Sequence, residues 1–159
     1  MRLGVLWEAP RAFHEKNKIP AAQPLAEVME ANEHCGNVAA VATELKIRAD
    51  QLEAHPSMQT DVRVIRAQLM VEELGETLEA MQAGNVVEMA DGLMDLLYVI
   101  GGTIETFGLG PAVSDLFADV HRANMEKTNR DGAVRVRDKG ENWTPPRIKH
   151  ILEMHDIDC

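Results

Sequence analysis

Apolar residues recur every three or four positions along residues 61–128, which is the period of helices with one buried face. Turn-forming residues divide this stretch, because Asp61 is a predicted N-cap, Gly84 a predicted left-handed helix end and Asn85 the start of the next helix. A third predicted helix begins at Pro111, a residue suited to the first helical turn. Short links between consecutive helices predict an all-α bundle of four or five helices, without a sheet.

The flanking segments carry weaker patterns. We expect a single domain, divided into an irregular N-terminal arm, a helical segment, three central helices and a tail: residues 1–24, 25–57, 61–128 and 129–159. Within the arm the prolines leave room for one short helix around residues 11–16. Within the tail, residues 133–137 are a predicted short strand and residues 148–158 a weak helix.

The first two central helices carry acids on their apolar faces. At about 100° per residue, the stripe of the first helix begins apolar and then turns acidic, through Ile65, Leu69, Glu72 and Glu76. In the second helix one face carries Glu88, Asp91, Asp95 and Val99. That second helix is apolar nearly all round, which is typical of a buried helix. The sequence therefore predicts carboxylates on the inward faces of two neighbouring helices.

The net charge is concentrated in the same region. The chain has 26 acids against 16 Lys and Arg, a net charge of −10, and no Lys or Arg occurs between Ala67 and His121. The turn at Gly84 makes the two helices antiparallel, so Glu73 and Glu76 are expected to face the acids of the second helix. Burying several carboxylates together is costly unless a cation compensates. Oxygen ligands select a hard ion, Mg²⁺ or Mn²⁺, and Mg²⁺ commonly binds substrate phosphates.

One other interpretation of the acids remains open, and a second is set aside. A solvated acidic helix face would take its Lys and Arg partners from other segments. A di-iron carboxylate bundle would require Glu-x-x-His pairs, and none of the six histidines has a Glu three residues before it.

Composition excludes several classes of function. The acidic balance argues against a broad surface for nucleic acid or anionic membranes. Two cysteines make no disulfide framework, which favours the reducing cytoplasm. The N-terminal apolar stretch is too short for a signal peptide, and no run approaches the roughly 20 apolar residues of a membrane span.

Several motifs resemble one enzyme superfamily. Residues 72–76, Glu-Glu-Leu-Gly-Glu, followed by residues 88–91, Glu-Met-Ala-Asp, match the pattern E-E-x-x-E … E-x-x-D. This pattern resembles the all-α nucleoside triphosphate pyrophosphohydrolases, which include MazG-type enzymes, phosphoribosyl-ATP pyrophosphohydrolase and dimeric dUTPases. Residues 121–127 look like the Asn-x-x-Lys of that superfamily. Residues 13–20 and 139–146 resemble the ends of its phosphoribosyl-ATP pyrophosphohydrolase-like branch. Relative to shorter members, residues 25–57 look additional.

The resemblance implies a role for each candidate residue. Mg²⁺, with Mn²⁺ as a substitute, would be held by Glu73, Glu76, Glu88 and Asp91, with Asp95 supporting a second ion or a ligand. Glu72 and Glu73 are the catalytic candidates, and Glu72 would orient or deprotonate the attacking water. The substrate contacts would be Asn124 and Lys127, with Arg122, Lys139, Trp143, Phe13 and His14 as further candidates. A packing role is the alternative for Trp143, Phe13 and His14, and a helix-end role for Lys127.

The resemblance also implies a reaction and an assembly. Water would attack the α-phosphorus of a nucleoside triphosphate, dUTP or another dNTP, and release the monophosphate and pyrophosphate. Phosphoribosyl-ATP hydrolysis and a non-catalytic helical regulator are the alternatives. The apolar second helix has more surface than one small bundle covers, so we expect a homodimer or a dimer of dimers.

Overall fold

The structure is a computed structural model that describes residues 3–20, 36–58, 60–128 and 138–158. This part of the chain contains six α-helices and one 3-10 turn, at Gly110–Ala112. The helices are α1 Leu3–Asn17, α2 Gly36–Glu53, α3 Val62–Ala83, α4 Val86–Thr106, α5 Val113–Met125 and α6 Ile148–Met154. These ranges contain no β-strand, only an isolated bridge between Thr128 and Asp138. The predicted all-α fold is therefore confirmed, while the predicted strand at residues 133–137 lies outside the described residues.

The chain divides into two compact units, and the single domain expected from the sequence stays a prediction. The acidic unit is Pro24–Phe107 and contains α2, α3 and α4. The terminal unit combines Met1–Gln23 with Gly108–Cys159 and contains α1, α5 and α6.

The helix ends of the acidic unit follow the predicted signals. The Asp61 carboxylate accepts a hydrogen bond from the backbone N–H of Arg63 at 2.9 Å and caps α3. Gly84 has φ of 69°, the left-handed conformation that a residue without Cβ adopts at low cost. The Asn85 side chain accepts from the backbone N–H of Glu88 at 3.3 Å and caps α4. These three predictions are confirmed.

Glycines let the helices of the acidic unit approach closely. A Cβ on Gly92 of α4 would lie 2.6 Å from the Thr77 hydroxyl oxygen and 3.2 Å from the Thr77 Cα. Further along α4, Gly102 lies against the guanidinium of Arg66. From the first of these contacts to the second, the residue number on α4 increases while the residue number on α3 decreases. The two helices therefore run antiparallel, as expected. On the other side of α3, Gly75 lies beside Leu45 of α2.

The apolar helix α4 is exposed along much of its length. Only Gly92 and Val99 are buried in it. The exposed apolar side chains are Val87, Leu93, Met94, Leu97, Tyr98 and Ile100. The prediction that α4 is buried is wrong for the single chain, because α3 lies between α2 and α4 in this unit and covers one side of α4 only.

The N-terminal arm predicted to be irregular forms helix α1. Pro10 lies inside this helix, where its ring removes one N–H donor without ending the helix. The Lys16 ammonium donates hydrogen bonds to the backbone carbonyls of Met125 and Lys127, at the C-terminal end of α5. The prediction of an irregular arm, which was based on its prolines, is therefore wrong. Tertiary contacts with α5 outweigh the cost of a proline inside a helix.

Residues 138–158 are held against α5 by a network of ion pairs. Asp119, which is 5% exposed, accepts hydrogen bonds from the side chains of Arg122 and Arg147 and from the Arg147 backbone N–H at 2.6 Å. The Trp143 indole N–H donates to the Ala123 carbonyl at 2.9 Å. The predicted weak C-terminal helix is present as α6.

No single helix in the described ranges is long and apolar enough to cross a membrane, although α4 and the segment Gly110–Met125 taken together pass the same test of length and composition.

Candidate active site

The predicted metal ligands lie on α3 and α4 with different degrees of exposure. Glu72 and Glu73 are half-buried on α3, whereas Glu76 is exposed. On α4, all three acids of the predicted face are exposed: Glu88, Asp91 and Asp95. The expectation that these carboxylates all point into a core is therefore wrong for the single chain, because α4 packs against α3 on one side only.

Glu73 lies at the centre of the acidic cluster. Burial is the main reason that the pKa of its carboxyl is raised, and four neighbouring acids raise the pKa further: Asp95, Glu76, Glu72 and Asp91. These neighbours come from both helices, so four of the predicted acids lie close to Glu73, and Glu88 is not among them. A carboxylate with a raised pKa and only acids around it is a natural site for a cation.

Backbone and side-chain hydrogen bonds fix the α3 side of the cluster. The amide of Gln68, a buried residue, donates to one carboxylate oxygen of Glu72 at 2.9 Å. The hydroxyl of Thr77, also buried, donates to the backbone carbonyl of Glu73 at 2.8 Å. A neutral donor thus orients Glu72 without neutralising its charge.

A cavity of about 360 Å³ opens beside the cluster. Two predicted ligands contribute to its wall, Glu76 from α3 and Glu88 from α4. The remaining lining residues are Lys46, Glu79, Ala80, Ala83 and Asn85. Lys46 comes from α2 and pairs with Glu79, and that hydrogen bond is the main reason its pKa is raised.

Sequence reasoning missed Lys46, because nothing in its local spacing indicates a partner 33 residues away. The alternative interpretation of the acids, with bases supplied from other segments, therefore holds for Glu79.

The donor chemistry of the cluster fits a hard divalent cation. All candidate ligands are carboxylates, the ligands that Mg²⁺ and Mn²⁺ prefer, and no thiol or imidazole is among them. Within the described ranges, no three Asp, Glu, His or Cys side chains converge closely enough to form a ligand set. Burial is the main cause of the raised pKa of Glu73, and repulsion from neighbouring carboxylates adds to it.

The terminal unit contains a second cavity, of about 490 Å³. Its apolar wall is formed by Ala9, Pro10, Phe13, Ile19, Phe117 and Val120. Its polar residues are His14, His121, Asn124 and Lys127. Four residues that the sequence predicted to contact substrate, two from α1 and two from the end of α5, thus line one cavity. His121 was not singled out, although it lies one turn before Asn124 on the same helix face.

The contacts of Lys127 separate its two proposed roles. The Lys127 ammonium donates to the Asn124 side-chain oxygen at 2.7 Å and lines the cavity. The carbonyls at the end of α5 are bound instead by Lys16, at 3.0 Å for the Lys127 carbonyl. Lys16 therefore takes the helix-end role that was the alternative for Lys127.

Two of the remaining substrate candidates, Arg122 and Trp143, hold residues 138–158 against α5. The Arg122 guanidinium binds Asp119, Glu126 and the Thr144 hydroxyl. The Trp143 ring is anchored by its indole hydrogen bond, and the Lys139 ammonium lies 4.1 Å from the ring centroid. These contacts favour the packing role for Trp143, and substrate roles for Arg122 and Lys139 stay predictions.

Comparison with protein families gives a match to the central part of the chain. A sequence model of the family described as phosphoribosyl-ATP pyrophosphohydrolase matches residues 41–124, just over half of the chain. The chain belongs to this family. It is therefore a member of the MazG-like all-α superfamily that the acid motifs resemble. Comparisons with curated proteins and with solved structures give no significant match.

Membership of the phosphoribosyl-ATP pyrophosphohydrolase family establishes the general activity. The chain is a nucleotide pyrophosphohydrolase, a hydrolase that acts on phosphoric anhydrides, from a family that is typically metal-dependent. The match begins inside α2 and continues through α3 and α4 to Asn124. It includes residues 41–57, the later part of the segment that looked additional.

Proposed function

We propose that this pyrophosphohydrolase cleaves a nucleoside triphosphate, with dUTP or another dNTP as the leading substrate, to the monophosphate and pyrophosphate. The acidic cluster around Glu73 is the observation that carries the proposal, since acids from both α3 and α4 act on this one carboxyl group. Phosphoribosyl-ATP is the second candidate substrate, which the family match supports equally.

The cluster would hold Mg²⁺, or Mn²⁺ in its place, through Glu73, Glu76, Glu88 and Asp91, with Asp95 nearby. When bound, the ion supplies positive charge against the triphosphate and against the charge that develops on the leaving pyrophosphate. Without a cation these carboxylates repel the substrate, so activity is expected to depend strictly on a divalent metal.

Glu72 is proposed as the residue that orients the attacking water. Gln68 holds one of its carboxylate oxygens and leaves the other to accept a proton. The water oxygen bonds to the α-phosphorus, the bond from the α-phosphorus to the bridging oxygen breaks, and pyrophosphate leaves with that oxygen. Glu72 takes the proton that the water loses.

The cavity of the terminal unit is proposed to bind the nucleoside end of a nucleotide. An apolar wall with Phe13 and Phe117 suits a flat base, while the Asn124 amide and the Lys127 ammonium suit polar and anionic groups. Titration of nucleoside monophosphates against the wild type and Asn124→Ala tests this assignment without hydrolysis. Equal affinity for both proteins would exclude Asn124 from the binding site.

The activity is tested by measuring pyrophosphate release from a panel of NTPs, dNTPs and phosphoribosyl-ATP, with and without Mg²⁺. We expect release only with Mg²⁺ or Mn²⁺, and fastest from dUTP or another dNTP. Fastest release from phosphoribosyl-ATP would identify the alternative substrate, and turnover that persists in a chelator would contradict the role of the cluster.

The exposed apolar face of α4 is proposed to bind a second copy of the chain. Exposed apolar patches of this kind are typical of subunit interfaces. Analytical ultracentrifugation should show a homodimer or dimer of dimers that Tyr98→Lys dissociates, since the Tyr98 side chain is 84% exposed. Met154→Lys is the matched control on α6 and should leave the assembly unchanged. A monomeric wild type would contradict the proposal.

A further inference from the structure

Helix α2 places one cation in the cavity beside the acidic cluster. The Lys46 ammonium pairs with Glu79 and lines the cavity together with Glu76 and Glu88. Close approach of α2 to α3 makes this possible, since a Cβ on Gly75 would lie only 3.4 Å from the Lys46 Cγ. The position of Lys46 is therefore set by the packing of two helices rather than by the reach of a loop.

The other described Lys and Arg side chains of the acidic unit do not line this cavity. Arg48 lies near Glu44 and bonds to Gln51 within its own helix. Arg63 binds the N-cap Asp61, and Arg66 lies against Gly102. Within the described ranges, Lys46 is thus the base of this unit that lines the acidic cavity.

The pair formed by Lys46 and Glu79 is poorly explained as a stabilising contact. The two side chains are 46% and 57% exposed, and exposed ion pairs contribute little to stability. An exposed carboxylate partner is also easily exchanged for a stronger anion. A phosphate oxygen is such an anion, because it makes a strong charge-assisted hydrogen bond to an ammonium group.

We propose that Lys46 is a substrate-binding residue that exchanges Glu79 for a phosphate oxygen of the nucleotide and contacts the pyrophosphate after cleavage. This assignment rests on the proposed function, in which Glu76 and Glu88 help to hold the metal. The cation would then approach the phosphates from the α2 side of the cavity, where the carboxylates alone offer only negative charge.

The test compares Lys46→Met and Lys46→Arg with Arg48→Met, a control on the same helix. Each protein is titrated calorimetrically with Mg²⁺ alone and with pyrophosphate in excess Mg²⁺, and KM is measured for the best nucleotide. We expect Lys46→Met to weaken pyrophosphate binding and raise KM by about 10-fold or more, the usual worth of a hydrogen bond to a charged group. Lys46→Arg should recover most of the affinity, and Arg48→Met should behave as the wild type.

The metal titration separates a phosphate contact from a structural role. Lys46→Met should bind Mg²⁺ at least as tightly as the wild type, because a competing cation is lost, and should keep its melting temperature. Unchanged pyrophosphate affinity in Lys46→Met, or an equal loss of Mg²⁺ and pyrophosphate binding, would overturn the proposal. If the wild type hydrolyses no nucleotide in the panel, the proposed function fails, and the pyrophosphate titration still decides the role of Lys46.

Discussion

Asp119 in the terminal unit and Glu73 in the acidic unit are carboxylates in opposite environments. The side chains of Arg122 and Arg147, together with the Arg147 backbone N–H, hold the pKa of Asp119 well below its usual range. Burial and four neighbouring acids raise the pKa of Glu73. Both residues belong to the long stretch without Lys or Arg, so the same charge pattern in the sequence covers two different physical situations.

The difference separates structural acids from functional ones. When guanidinium groups surround a carboxylate, the protein itself compensates the negative charge, and the carboxylate stabilises the fold. When other acids surround a carboxylate, its negative charge is compensated only when a ligand brings positive charge. The comparison therefore predicts that substitutions at Glu73 affect activity, while substitutions at Asp119 affect folding.

The largest expected effect is the loss of activity in Glu73→Gln. We expect pyrophosphate release to fall by at least ~100-fold, because a metal ligand and its charge are lost. The melting temperature of the metal-free protein should stay the same or rise, since the substitution removes a charge that the folded state disfavours. Retained activity in this variant would remove the basis for the assignment of the cluster.

Asp119→Asn should show the reverse result. The amide cannot accept all the hydrogen bonds from Arg122 and Arg147, and it leaves two guanidinium groups without their counter-ion. We expect the melting temperature to fall by several degrees, and activity at low temperature to fall less than in Glu73→Gln. Asp115→Asn is the control on the same helix, since Asp115 is exposed and pairs only with His155 among the described residues. An equal loss of stability in both variants would argue against a special role for Asp119.

The contacts of Asp119 with Arg147 and of Glu126 with Thr144 should be insensitive to pH until the pH becomes acidic. In the folded state Arg122 and Arg147 lower the pKa of Asp119. Thr144 and Arg122 lower the pKa of Glu126. Groups of this kind stabilise the fold fully above their unfolded pKa of about 4 and lose this contribution as the pH falls through the lower folded values. Fluorescence of Trp143 in a Trp7→Phe background should therefore stay constant from neutral pH to about 4 and change below it. A transition between pH 7 and 5 would contradict this prediction.

The smallest expected effects concern two glycines of α4. Gly92→Ala should lower the free energy of unfolding by about 1–3 kcal/mol, because the new Cβ would overlap the Thr77 hydroxyl oxygen at 2.6 Å. Gly101→Ala meets no atom within 4 Å and should stabilise the helix by about 0.5–1 kcal/mol. Urea denaturation of both variants distinguishes close helix packing from helix propensity, and equal values would rule out the close approach at Thr77.

The sequence predicts those features of the fold that depend on neighbouring residues. The ends of α3 and α4 follow from Asp61, Gly84 and Asn85, each of which acts within a few residues. The acids around Glu73 follow from helical spacing and one turn. Sequence reasoning failed where distant segments meet, because neither the helix through Pro10 nor the exposure of α4 is determined locally.

The candidate site shows the same limit. Helical spacing predicted that Asn124 and Lys127 share one face. In the structure α5 ends at Met125, before Lys127, and both residues line one cavity. Spacing gave no indication of Lys46, whose partner Glu79 lies on another helix. The arginines that pair with Asp119 lie 3 and 28 residues from it, so the second of them could not be assigned from local pattern.

The division of the terminal unit between two distant segments has a consequence for the order in which the chain matures during translation. The three described helices of the acidic unit have been synthesised once Phe107 has left the ribosome. Helix α1 is made before them, yet Lys16 must wait for a carbonyl 109 residues later in the chain. At about 5–20 residues per second this delay is roughly 5–20 s. Helix α1 is thus synthesised before the acidic unit but can pack against α5 only after that unit has been made, and during that interval the apolar side of α1 lacks its partner on α5.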